Sequence, residues 1–555
     1  MNTKVLRQKI LDLAIHGKLV PQDPNDEPAT VLLERIRAEK QQMVKDGKLK
    51  PKDIKNDSVI FVGEDNLHYE QFPDGTVKCI EDEIPFELPE GWAWCRLANI
   101  TSKTGAGSTP SGGAAIYKSD GIKFIRSQNV YNSGLILDDV AYISEDINEK
   151  KRGSIVKPKD ILLNITGGSI GRCALVPNQF DIANVNQHVM IIRLINPLMR
   201  YYLHSVIISP YIQNQILSKQ VGSGRGGLSA ETLSTFLIPI PAYNEQVRIT
   251  SSLNKLIPLI SLIDSKITDL ISAIKKSKSK ILDLAIRGKL VPQNPDDEPA
   301  SVLIERIRAE KEQLIKEGKI KRDKRESYIF RGEDNSYYEK IGSTVTCIDD
   351  ELPFEIPDTW SWCRLQSCCS KEIRRGKTPK YINNSSVLVF AQKCNTKYDG
   401  INIDLALFLD ESTLSKYSDE EYIEDKDTVI NSTGNGTLGR VGFYQIDNNH
   451  SNLPIVPDSH VTIIRPYNKL NKIYVNLFCK AIQPELEKMG KGSTNQKELK
   501  PVTLKEMLIP MPPIKEQEVI VKQIGDLFSV LDNIEGAVAL SSQKKKPGSP
   551  KGLPG

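Results

Sequence analysis

The sequence predicts an α+β protein written twice: two irregular mixed domains joined by two long antiparallel coiled-coil helices, with pseudo-twofold symmetry and a circular repeat organisation. Three observations predict it. Residues 9–48 and 280–319 are near copies, opening KILDLAIHGKLVPQDPNDEPATVLLERIRAEK and KILDLAIRGKLVPQNPDDEPASVLIERIRAEK. At an offset of 271, 31 of their 40 positions are identical. An apolar heptad seam runs through the middle of the chain and recurs near its end. Between the copied landmarks lie two divergent inserts of short β-like runs, punctuated by Gly, Asn, Ser and Pro. A chain of 555 residues exceeds what one hydrophobic core supports, and a repeat of this length sets the frame for every other reading.

The frame divides the chain in order. Residues 1–50 are expected to form an N-terminal helical segment that completes the C-terminal rod. Residues 51–243 form the first mixed domain and 244–325 a central helical region. Residues 326–514 form the second mixed domain and 515–542 a C-terminal helix. The tail 543–555, QKKKPGSPKGLPG, is low in complexity and lies outside the repeat, and it is assigned no function. Landmarks hold the register. GEDN at 63–66 recurs at 332–335, and Trp92-Ala-Trp-Cys-Arg-Leu97 as Trp360-Ser-Trp-Cys-Arg-Leu365. Ile238-Pro-Ile-Pro241 recurs as Ile509-Pro-Met-Pro512, and Glu245-Gln246 as Glu516-Gln517.

From Ile249, apolar residues fall at 249, 253, 256, 260, 263, 267, 270, 274, 281 and 284, and only Ser277 breaks the run. Steps of four and three are the signature of a coiled-coil seam. Pro258 lies off the seam and is expected to kink or start the main helix. The second seam, Gln517, Ile520, Ile524, Leu527, Leu531, Ile534 and Val538, stops halfway. Twice the offset is 542, so Leu6, Ile10 and Leu13 stand where Ser277, Ile281 and Leu284 stand. The chain reads as a circle cut inside its second helix, and two such antiparallel rods would hold the inserts apart at a fixed separation. Residues 297–319 are expected to form a further helix with balanced charge, a solvated face or a protein-docking face.

Composition excludes several function classes. The 74 basic and 70 acidic residues leave a net charge of +4, so any phosphate-binding surface must be local. The polar start lacks an apolar signal core, and the run Leu253 to Ile274 is broken by Lys255, Asp264, Lys266 and Asp269. A cytoplasmic protein with no membrane partner is expected. Nine cysteines include no CxxC pair, and the trio Cys363, Cys368 and Cys369 lacks a His/Cys partner pair at zinc-finger spacing, so reduced thiols and no metal are expected. The GxGxxG matches at 222–227 and 434–439 lie in no βαβ unit with a following acidic residue, and their glycines read as letting backbone approach phosphate or form tight turns. There is no GxxxxGK[ST] loop, no HExxH, no Asn/Asp-Pro-Pro-aromatic tetrapeptide and no nuclease carboxylate–lysine cluster. No catalytic residue is therefore named. A binding chain is the first reading, set against a coiled-coil scaffold that binds only proteins and a self-sufficient DNA methyltransferase or nuclease.

The insert loops carry the side chains that meet DNA: Arg, Lys, Gln and Asn for base edges, Ser and Thr for phosphates. In the first insert the candidates are Ser108, Thr109, Arg126, Gln128, Asn129, Thr166, Ser169, Arg172, Gln187, His188 and Arg225. In the second they are Lys377, Thr378, Gln392, Lys393, Asn395, Thr433, Asn435, Arg440, His460, Asn495, Gln496 and Lys497. For each, the plainer reading is a solvated loop or a structural turn bond, and for His188 and His460 a satisfied, semi-buried imidazole.

With its two Trp-x-Trp openings followed by GSTP (107–110) and GKTP (376–379), its two IP[IM]P…EQ segments and its duplicated LDLAI[HR]GKLVPQ, the chain resembles the specificity subunits of Type I restriction-modification systems. The resemblance covers nearly the whole chain. It implies two target-recognition domains, each reading one half of an asymmetric, split sequence in double-stranded DNA, with the helices setting the gap. It further implies docking of two methyltransferase subunits and of the restriction (motor-nuclease) subunits. S-adenosylmethionine and the chemistry would reside on those partners, with no cofactor in this chain. The tail 543–555 departs from the family pattern.

Overall fold

The computed structural model describes residues 2–112, 116–219, 226–318, 320, 322, 326–397, 400–490 and 498–542. The chain divides into two compact units, Met1–Ile267 with Leu540–Gly555, and Thr268–Ala539, and both mix helix and sheet.

In the first unit, helix Thr3–Ile15 is capped by Asn2, whose side chain accepts from the Val5 N–H at 3.1 Å. It stops at Gly17, where φ is +65° and a Cβ would lie 2.4 Å from Pro89 Cγ. Gly288 ends the central helix in the same way, against Pro357 Cγ at 2.4 Å. The shared Gly in AI[HR]GKLV is thus required twice over, by its left-handed backbone and by close approach. Helix Ala29–Lys45 follows, then a three-stranded meander, Val59–Val62, His68–Gln71 and Val77–Cys79. Its GEDN turn places Asn66 at φ 62°.

The insert is two four-stranded sheets. One runs Cys173–Leu175, Ile161–Asn164, Val189–Leu194, Thr101–Ala106, all antiparallel. The other runs Ile155–Val156, Ala183–Val185, Ile122–Ile125, Ala141–Ile143, with one parallel pairing in the middle. The apolar run Ile161–Ile165 is buried throughout, since both faces of its strand are covered. Helices Arg200–Ile207 and Pro210–Ser218 close the first sheet. The strand pair Ala93–Arg96 and Leu237–Ile240 then delivers the chain into the long helix.

The second unit repeats this plan. Its meander is Ser327–Arg331, Tyr337–Ile341 and Thr344–Cys347. Its sheets run Val441–Phe443, Thr428–Asn431, Val461–Ile464, Arg374–Arg375, and Tyr381–Ile382, Leu407–Leu409, Leu388–Phe390, Ile455–Pro457. The parallel pairing again joins the strands that flank the insert core, Leu388–Phe390 and Ile455–Pro457. Cys363, Cys368 and Cys369 are buried in the apolar core of this unit, and burial raises the Cys363 and Cys369 thiols well above the ordinary range; for Cys363 the hydrogen bond to Cys368 contributes first.

The boundary between the units falls inside one continuous 44-residue helix, Tyr243–Ile286. Pro258 lies within that helix and does not start it: the helix begins fifteen residues earlier, at the turn after the strand pair. In the first unit its N-terminal part packs antiparallel on Thr3–Ile15, with Arg7 Nη2 donating to Ser261 Oγ at 3.1 Å and Thr3 to Asp264. In the second unit its C-terminal part packs antiparallel on Ile514–Ser542. There Lys278 Nζ lies 3.3 Å from Glu535 and also meets Asp532, and Leu282 and Ala285 bury against Ile520 and Ile524. Of the heptad positions, Ile249, Leu253, Ile260 and Ile274 are buried, while Leu270 is 40% exposed. Helix Ala300–Lys316 buries Leu303 and Ile307, and also Lys311, which pairs with Glu326 at 3.0 Å. Among the described residues no helix is long and apolar enough to cross a membrane, and no three His, Cys, Asp or Glu side chains gather as a metal site.

Candidate nucleic-acid interface

The loop opening GSTP leaves strand Thr101–Ala106 directly over the backbone of Ala183–Val185. A Cβ on Gly107 would lie 1.8 Å from the Val185 carbonyl oxygen, and one on Gly376 would lie 2.1 Å from that of Pro457. Only glycine lets the loop pass at either place. This passage brings Thr109 onto the turn at Gln187–His188. Thr109 Oγ1 donates to Gln187 Oε1, Gln187 Nε2 lies 3.0 Å from His188 Nε2, and His188 Nδ1 shares a hydrogen bond with Thr166 Oγ1 at 2.5 Å. Four side chains from three separate loops thus form one connected chain. Beside them, Ser108 Oγ accepts from Lys151 Nζ at 2.6 Å, and Ser169 Oγ accepts from Asn164 Nδ2 at 3.1 Å.

Two arginines of this insert are held by aromatic rings. Arg172 lies 4.7 Å over Tyr131, and Arg126 lies 5.8 Å from the centroid of Tyr117 while donating to the Asp139 carbonyl at 2.8 Å. Gln128 donates to the Asp139 carboxylate. Asn129 departs from the expectation for a DNA-facing side chain. It is fully buried, donates to Ile136 O and Asp139 Oδ1 at 3.0 Å each, and accepts from the Arg126 N–H. Its amide closes the 3₁₀ turn Ser127–Asn129.

The second unit builds the same framework with different side chains. Thr433 Oγ1 lies 2.7 Å from His460 Nδ1, the counterpart of the Thr166–His188 pair. Each histidine's backbone N–H donates to the amide or acidic side chain two residues before it, Asn186 Oδ1 at 3.1 Å and Asp458 Oδ1 at 2.8 Å. Burial raises the Asp458 carboxyl above its ordinary range. Gln392 Oε1 accepts from Thr437 at 3.3 Å, and Arg440 donates to Asn395 O at 2.7 Å and Gly436 O at 2.9 Å. Lys377 pairs with Glu421 at 3.1 Å and lies 5.5 Å over Tyr417. Thr378, Lys393 and Asn435 are exposed. Asn395, like Asn129, is buried; it follows the turn Gln392–Cys394 and donates to Arg440 O at 3.0 Å and to Asn431 Oδ1. Arg225, Asn495, Gln496 and Lys497 lie outside the described residues.

Each unit therefore collects hydroxyl, amide, imidazole and cationic groups from four loops onto one rim, where they offer donors and acceptors in fixed places. A model of the Type I restriction modification DNA specificity domain matches residues 89–273 and 357–538, about two thirds of the chain. The chain belongs to this family. Among its relatives, the Type I restriction enzyme EcoEI specificity subunit of Escherichia coli is 30% identical over 418 residues. That match covers 65% of this chain and 61% of the relative's own length. The EcoAI specificity subunit of Escherichia coli is 27% identical over 613 residues, covering 97% of this chain and 91% of the relative. A solved structure described as the "structural basis underlying complex assembly and conformational transition of the type I R-M system" shares the fold, with a TM-score of 0.50 at 16% identity over 82% of this chain and 95% of that one.

The two segments matched to the specificity family begin just before Trp92 and Trp360 and run into the long helices, so each contains one complete rim. Reading residues singly finds the candidates of these segments and misses how they join. Thr166 with His188, and Thr433 with His460, occupy matching places in inserts that otherwise differ, and that match is visible once the copies are aligned. Asp139, Tyr117, Tyr131 and Lys151, which hold Arg126, Gln128, Arg172 and Ser108, have no counterpart in the repeat that marks them.

Proposed function

We propose that each rim reads one half of a bipartite, asymmetric sequence in double-stranded DNA, the first through residues 51–243 and the second through 326–514. The observation that carries this reading is the Thr–His pair kept at the same place in both units within inserts of different composition. A common framework with unlike contact groups, Ser108 against Lys377 and Gln187 against Ser459, suits two readers of two different half-sites. The central helix supplies a length standard of roughly 66 Å at about 1.5 Å per residue, which would set the unspecified gap. Methyltransferase subunits, two per chain, would dock on this chain and carry S-adenosylmethionine, and restriction subunits would join them. This chain would contribute recognition and no catalytic step.

The test is an exchange of residues 98–235 for the corresponding insert of another family member. Methylated adenines are then mapped genome-wide in cells carrying the chimaera with its partner methyltransferase. One half-site is expected to change while the other half-site and the gap stay as they were. A chimaera that altered the gap, or both half-sites, would overturn the division of labour.

A further inference from the structure

The three-stranded meanders carry a feature that DNA reading leaves unused. One face of each packs inward. In the first, Ser58, Ile60 and Glu70 point in, and Glu70 takes the Arg96 guanidinium at 2.6 Å. In the second, Ile329 and Glu339 do the same, with Arg364 at 2.5 Å. The register places Val59, Phe61, Tyr69, Gln71, Val77 and Cys79 on the opposite face. Its counterpart holds Tyr328, Phe330, Tyr338, Lys340, Val345 and Cys347. The solvent face of an antiparallel sheet is ordinarily polar. This one is not: Phe61 is 41% exposed, Val77 49% and Val345 50%, and both cysteines are exposed.

The two copies also differ where solvent positions are free to drift. Val62 becomes Arg331, Leu67 becomes Ser336, and Lys78 becomes Thr346. The row Phe–Tyr–Cys with its neighbouring Val does not change. Its geometry repeats as well: Phe61 stacks on Tyr69 at 5.9 Å and 25°, Phe330 on Tyr338 at 5.9 Å and 26°. Each tyrosine is locked in place, with its hydroxyl donating to Asp65 or Asp334 at 2.7 Å and its ring against Gly63 or Gly332, where a Cβ would come within 2.8 Å. Rigid, partly exposed aromatic side chains are what protein interfaces use as anchors.

We propose that these two faces are a matched pair of docking surfaces, each taking one copy of the same protein partner through an apolar segment flanked by Lys or Arg. Duplication of the face argues for two copies of one partner. Charge argues for its chemistry. Each face is bordered by the acidic residues of its turn, Glu64 and Asp65 in the first, Glu333 and Asp334 in the second. Such a border repels a phosphate backbone, so the stacked rings are poor candidates for holding nucleic acid. On the second face Lys340 stands where the first copy has Gln71, and Arg308 lies 4.5 Å over the Tyr328 ring.

This rests on the reading that two methyltransferase subunits join the chain, and it assigns them a surface. The full-length chain is titrated with the purified methyltransferase subunit of its own system, and stoichiometry and affinity are read by native mass spectrometry and sedimentation. The parent is expected to bind two copies. Phe61→Ser with Val77→Ser should weaken one copy at least tenfold, Phe330→Ser with Val345→Ser the other, and the quadruple variant both. Glu64→Lys with Glu333→Lys, at exposed turn positions with no packing role, should weaken both copies without altering the fold. Val62→Arg with Leu67→Ser should change nothing. A parent that binds no methyltransferase would sink the assembly reading itself. Two copies bound by the quadruple variant at unchanged affinity, or equal loss from Val62→Arg with Leu67→Ser, would sink this surface alone.

Discussion

Trp92 Nε1 donates a hydrogen bond to Glu245 Oε2 at 2.9 Å, and Trp360 Nε1 donates to Glu516 Oε2 at the same distance. The bond spans 153 residues in one copy and 156 in the other. It ties the aromatic opening of each insert to the first turn of the long helix that leaves it. Trp-x-Trp and Glu-Gln recur together because they are the two ends of one buried contact.

Burial raises both Glu245 and Glu516 above the ordinary carboxylate range, against the lowering effect of the indole bond. A carboxyl with a raised folded-state pKa contributes stability that is fully present below the unfolded pKa and is lost as pH rises through the folded one. Glu245→Gln keeps an acceptor for the indole and cannot ionise. Its stability relative to the parent is therefore expected to improve as pH rises above about 4.3, the unfolded glutamate value. Glu245→Ala leaves the buried indole N–H unpaired, at a cost of about 1–3 kcal/mol. Denaturation midpoints at pH 5 and pH 8 check both, and a pH-independent difference between Gln variant and parent would refute the burial argument.

Asn129 and Asn395 are buried, and their side-chain amides bond the protein around them. Asn129→Ala and Asn395→Ala should each cost about 1–3 kcal/mol, the price of leaving buried backbone and side-chain groups unpaired. The half-site sequences read from a methylome should stay unchanged. A shifted half-site at undiminished stability would return these residues to the reading surface.

Arg465 Nη2 lies 2.7 Å from Asp427 Oδ2 in a site where Asp427 is wholly buried. Arg193 and Asp160 make the same pair at 2.7 Å in the first unit. Arg465→Met strands a buried carboxyl, whose pKa burial already raises, and should cost about 3–5 kcal/mol. Adding Asp427→Leu should recover much of that loss. Chemical denaturation of the single and double variants measures the recovery, and a double variant no more stable than the single would contradict the account.

A heptad inserted between Leu270 and Ile281 keeps the seam and adds roughly 10 Å of helix. The preferred gap in the DNA target is expected to lengthen by up to about three base pairs at roughly 3.4 Å each. Both half-sites should be unaltered. Methylome mapping reads the outcome, and altered half-site bases at a constant gap would contradict it.

Much of the architecture was legible in the sequence because it is periodic or duplicated. The heptad seam announced the long helices, and the offset of 271 exposed the doubled plan. The spacing also gave the extent of the central helix to within two residues, 245–286 against Tyr243–Ile286, but not that Pro258, a local helix-breaking signal, would sit inside it without starting it. Inside a helix that packs Ile249, Leu253 and Ile260 into a core, its local cost is overridden. At the rim, residue type identified groups able to bind DNA but could not separate Gln128, which is exposed, from Asn129, which is buried one position later.

The repeat, the two inserts, the helical seams and the residue types available for recognition are properties of order and spacing along the chain, and can be read from it directly. Which of those residues meet follows from the fold. Thr109, Thr166, Gln187 and His188 lie up to 79 positions apart and join through the backbone crossing at Gly107. Whether a polar side chain faces a ligand or satisfies a buried turn depends on which backbone groups the fold leaves unpaired beside it. That depends on contacts between distant segments, which spacing along the chain does not encode.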